Sequence, residues 1–98
     1  MKMLLIVFHQ STAEHIHALL REYEVTAFTE LHNVAGRGET GPHVQFLLSP
    51  GANSMILTAV SEQVADRLIE GFTRLKAEQG MAEHNNVHVF VLPCEQAV

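Results

Sequence analysis

The chain has 98 residues, of which 47% are hydrophobic and only 17% charged, and its formal net charge is −5. One domain over residues 1–98 is what that length allows. Six scattered basic residues, a single Tyr and no Trp exclude nucleic acid as the main partner, which would need clustered cations and stacking rings. A charged fraction this far below the usual ~25% asks for burial beyond what one small domain offers, and points to an oligomer.

In chain order, Met3–Phe8 (MLLIVF) is a continuous apolar run with β-branched members, patterned as a strand buried on both faces. It is too short to span a membrane, and no small-residue cleavage site follows it. Cys94 is the only cysteine, so no internal disulfide forms. The expectation is a cytoplasmic protein without membrane insertion. Ser11 predicts a helix cap, with Glu14 completing a capping box, and Ile16, Leu19, Leu20 and Tyr23 then recur at helical spacing. Val25–Val34 (VTAFTELHNV) predicts a second strand.

That strand runs into VAGRGETGPH, Val34–His43, where Gly36, Gly38 and Gly41 fall within six positions. The loop continues to Pro50 and Gly51, with His43–Ser49 patterned as a short strand inside it. Ser54–Val60 predicts the third main strand and Ser61 the cap of a second helix, with Val64, Leu68, Phe72 and Leu75 as its apolar stripe. Gly80 stops this helix, MAEHNN is a loop, and Val87–Leu92 predicts the last strand, ended by Pro93.

The order β-α-β-β-α-β is the ferredoxin-like plan, an α+β sandwich with two helices on one face of an antiparallel sheet. The other face should be polar. Instead Leu4–Val7, Met55–Leu57 and Val89–Leu92 are apolar on both parities. A sheet apolar on both faces needs a second cover, and another copy of the chain supplies it most simply. The expectation is a homo-oligomer with its sheets facing inward.

On spacing alone the glycine loop has three readings: a mobile excursion, a phosphate cradle with Arg37 as an added charge, or a loop that orders against a partner protein. GRGETG satisfies neither GxxxxGK[ST] nor a GxGxxG following a first strand.

The segment EVTAFTELHNVAGRGETG resembles the second strand and loop entrance of the nitrogen regulatory protein P-II family, where a G-V-x-G-x-T-x-x-x-V-x-G-x-G run leads into a long signalling loop. KMLLIVF resembles that family's first strand, VSEQVADRLIEGF its second helix and NVHVFVLPCEQAV its last strand. The resemblance implies a homotrimer that binds a small effector, most often an adenine nucleotide, in clefts between subunits. It implies that the Arg37–Asn53 excursion reports the bound state to a transporter or another regulated protein. Gly36 and Gly38 match the loop-entrance glycines that border the cleft. Arg37, Glu39, Thr40 and Gly41 take the neighbouring positions, and Gly80 stands in the second loop. The chain is a divergent member: where the family carries T-G-x-x-G-D-G-K, EQGMAEHNN keeps only Gly80, and no basic pair follows the last strand. A nucleoside monophosphate, an anion or a metal is therefore an alternative ligand.

Seven histidines, His9, His15, His17, His32, His43, His84 and His88, raise a rival reading. Imidazole suits Zn, Cu, Ni and Co, and a trimer in divalent-metal homeostasis would use it. The divalent-cation-tolerance family resembles this plan in fold and trimer. The two candidate ligands are His43 and His84, one in each loop. Catalysis is not expected. Ser11 and Ser61 are read as caps, Cys94 has no base near it in sequence, and the helical carboxylates read as solvated faces. Acylphosphatases share the plan, but HQSTAE replaces their arginine-bearing loop after the first strand.

Overall fold

The computed structural model describes residues 1–35, 52–78 and 87–98. Strand β1 spans Lys2–His9, helix α1 Ala13–Glu22, β2 Thr29–Val34, β3 Asn53–Val60, helix α2 Glu62–Glu78 and β4 Val87–Pro93. The strands form one antiparallel sheet in the order β2-β3-β1-β4. This is the expected ferredoxin-like topology, and each predicted main strand and helix is present.

Alternation along the strands sorts the side chains. Leu4, Ile6 and Phe8 of β1 are buried, with Ser54, Ile56 and Thr58 of β3 and Val87 of β4. Ile16 and Leu20 of α1, and Ala65, Leu68 and Phe72 of α2, close over them. Gly71 lets the helices approach. A Cβ there would stand 2.9 Å from Leu19 Cδ2 and 3.0 Å from the Tyr23 ring. Met3, Leu5 and Val7 point to the other face and stay half-exposed.

Two local expectations are corrected. Ser11 does not cap the first helix. Gln10–Thr12 form a 3-10 turn, and Thr12, at the cap position of α1, makes no side-chain cap bond. The reason lies in His9. Its Nδ1 accepts the Ser11 backbone N–H at 3.1 Å and lies 2.9 Å from the Ser11 hydroxyl, while Thr12 Oγ1 donates to the His9 carbonyl at 2.8 Å. The second strand starts at Thr29 rather than Val25. Glu24 takes a positive φ of 59°, Val25 donates its N–H to the Leu20 carbonyl and turns its side chain into the core, and Thr58 Oγ1 donates to the Ala27 carbonyl. Local β-propensity lost to core burial. Ser61 does act at the start of α2, accepting the Val64 N–H at 3.2 Å. Among the described residues no helix is long and apolar enough to cross a membrane.

Candidate functional site

The sheet fixes where the two glycine-bearing segments leave it. His9, the last residue of β1, pairs with Asn53, the first of β3, and Phe8 pairs with Val87, the first of β4. Val34, the last of β2, also pairs with Asn53. The chain therefore departs toward residues 36–51 and returns from residues 79–86 at one and the same end of the sheet. It does so at opposite edges, with β2 at one side and β4 at the other.

Gln10 braces this end. Its backbone N–H donates to the Ala52 carbonyl at 2.8 Å, and its side-chain amide donates to Asn33 Oδ1 at 3.3 Å. Asn33 sits at a positive φ of 58° within an irregularity of the β2–β3 ladder. Such bulges re-aim a strand at its end. The exit from β2 and the entrance to β3 are thus both tied to the residue that follows β1. The signalling excursion expected over 37–53 ends by Ala52, because Asn53 is already in the ladder.

At the opposite edge, the last turns of α2 and strand β4 border an open groove of about 390 Å³, lined by Ile69, Thr73 and Lys76 of the helix and by His88, Val89 and Phe90 among the strand residues.

A third feature was not foreseen. Glu30 lies on the helix-covered face, its register partner Ile56 being buried. Its Oε1 accepts from His17 Nε2 of α1 and its Oε2 from His32 Nε2 of β2, both at 2.7 Å. Glu30 is 15% exposed, His17 34% and His32 64%. Burial pushes the Glu30 carboxyl upward, but the hydrogen bonds and positive character of the two imidazoles outweigh it and leave the group below its ordinary value. His17 also stacks on Phe28, with centroids 6.2 Å apart. This clamp holds the start of β2 against α1. One sequence signal pointed toward it: a carboxylate two positions from a histidine in a strand, facing a helix that carries another histidine.

Gly36, Arg37, Gly38, Glu39, Thr40, Gly41 and Gly80 lie outside the described residues, as do His43, His84 and the short strand expected at His43–Ser49. Among the described residues no group of three His, Cys, Asp or Glu side chains is placed to hold a metal ion. Cys94 is a free thiol with intermediate burial.

The family model "Nitrogen regulatory protein P-II" matches residues 1–98. Among solved structures, the chain is similar to CPII from Thiomonas intermedia, a nitrogen regulatory PII-like protein, bound to ADP, AMP and bicarbonate. The TM-score is 0.70 and the identity 28%, over 93% of this chain and 82% of that one. The same protein bound to ADP and bicarbonate matches with a TM-score of 0.70 and 30% identity over the same shares. A PII-like signalling protein from Thermus thermophilus shares the fold, with a TM-score of 0.59 and 21% identity over 93% and 83% of the two chains. No curated protein sequence matches. With a family model covering its whole length and a sheet of the same topology, this chain belongs to the nitrogen regulatory protein P-II family.

Proposed function

We propose that the chain is a cytoplasmic, homotrimeric sensor that binds an adenine nucleotide in clefts between subunits and reports the bound state through the 37–52 excursion to a regulated partner such as a transporter. The observation that carries this reading is the placement of the two segment exits. They share one end of the sheet but sit at opposite edges. Within one subunit they stand apart. When subunits meet edge to edge around an axis, the β2–β3 exit of one comes beside the β4 entrance of the next. The uncovered apolar sheet face supports the inward packing that such an assembly needs. The similarity to CPII, whose structures hold ADP and AMP, supports the ligand class.

The cleft is assigned to Gly36, Arg37, Gly38, Glu39, Thr40 and Gly41 from one subunit and Gly80 from its neighbour. Glycine lets backbone N–H groups approach an anion closely. Native mass spectrometry and calorimetry with AMP, ADP and ATP test the proposal, with Zn²⁺, Cu²⁺ and Ni²⁺ as comparison ligands. The expected result is a trimer that takes up three nucleotides, and a Gly38→Val trimer that takes up none. A monomer, or a trimer blind to all three nucleotides, overturns the reading. Metal uptake in multiples of three, abolished by His43→Ala together with His84→Ala, would replace it with the metal-homeostasis reading.

A further inference from the structure

We infer that His88 makes the assembly of subunits sensitive to pH: copies hold together while its ring is neutral and separate when it is protonated. The inference rests on the proposed homo-oligomer with inward-facing sheets and adds a regulation to it.

The sheet register places His88 on the open face. It pairs with Val7, Val7 with Met55, and Met55 with Leu31. The next row holds Phe90, Leu5, Leu57 and Thr29. His88 is thus set in an apolar surface, and its ring stacks on Phe90 with centroids 6.5 Å apart and an interplanar angle of 20°. It is exposed, and among the described residues no hydrogen bond or ion pair engages it.

The groups around it do not favour a proton. From α2, Lys76 lines the same groove as His88 and brings a like charge. From β1 the face presents Leu5 and Val7, with His9 at the strand's end, where its Nδ1 accepts the Ser11 N–H. From β3 and β2 it presents Met55, Leu57 and Leu31. Glu30 is the only Asp or Glu in the four strands, and it lies on the covered face, bonded to His17 and His32. The strands of a second copy seated on this face therefore bring no carboxylate to an imidazolium. Covering the neutral ring costs little, whereas covering the charged ring is opposed by desolvation. A histidine in water titrates near pH 6.5. Assembly that excludes the proton is at full strength above that pH and weakens as pH falls through it.

The test is fluorescence-detected sedimentation across a dilution series at pH 8 and at pH 5.5. Glu30 stays ionised throughout this window, being held below its ordinary value of 4.5. With the proton excluded from each subunit of a trimer, association should weaken about tenfold per subunit, and the concentration at half-assembly should rise roughly thirtyfold. His88→Phe keeps an aromatic ring beside Phe90 and should assemble equally at both pH values. His88→Arg, charged at both, should assemble poorly at both. A wild-type change of less than about threefold overturns the inference, and so does a His88→Phe oligomer as acid-sensitive as wild type. In either case the oligomer reading stands, because wild type is assembled at pH 8. A wild type that is monomeric at pH 8 overturns both.

Discussion

Leu4 and Leu5 are neighbours in the chain and end on opposite faces of the sheet. Leu4 is fully buried, in a layer with Ile6, Phe8, Ile56 and the apolar stripes of both helices. Leu5 pairs across the sheet with Leu57 on one side and Phe90 on the other, and among the described residues no element covers this row. Phe90 is 57% exposed, Leu92 45% and Leu31 45%. A contiguous apolar surface of this kind is rare on a monomer. The first face is closed by the chain itself, while the second is built to much the same composition and stays exposed in the single subunit. The charge deficit of the sequence is explained by that second face, since a small domain with one core would not need it.

Exchanging the two leucines' roles gives the sharpest test. Leu5→Arg should have the largest effect, because a trimer with inward sheets would gather three unpaired charges, each costing roughly several kcal/mol when buried. Size-exclusion chromatography with light scattering should then report a monomer whose far-ultraviolet circular dichroism is unchanged. An intact trimer would mean that the open face is not the interface. Leu4→Ala, one position away, should leave assembly alone and cost about 2–5 kcal/mol of stability, the usual price of a cavity in a packed core. That is a large share of the ~5–15 kcal/mol a domain of this size holds. Thermal or urea unfolding measures it, and a loss below 1 kcal/mol would mean the site collapses around the deletion.

Much of this two-sided architecture was legible in the residues, for a physical reason. Burial sets periodicity, so the run at Met3–Phe8, the stripe through Ile16 and Leu20 and that through Leu68 and Phe72 announced their elements. Failures occurred where a side chain competed with the local rule. His9 took the Ser11 amide and moved the helix start, and Val25 was drawn into the core ahead of its strand. The candidate site was less legible. The loop glycines were named from resemblance, not from contacts. The Glu30 clamp and the α2–β4 groove depend on register and on helix packing, which bring together residues such as His17 and Glu30 that lie 13 positions apart.

Glu30 is a charged residue on the covered face, and it yields the smallest but most specific effect. Its folded carboxyl titrates below the ordinary value of 4.5. The clamp's contribution is therefore fully present above that pH, and it is lost as pH falls through the lowered value. In Glu30→Gln the amide oxygen still accepts from one imidazole, but the NH₂ cannot accept from the other. The variant should be about 0.5–1 kcal/mol less stable near pH 6, at the low end because His32 stands largely in water. The gap from wild type should narrow steadily below pH 4.5. A gap of constant size between pH 6 and pH 3 would show that Glu30 acts by packing rather than by charge. The clamp would then be as indifferent to protons as the leucines beneath it.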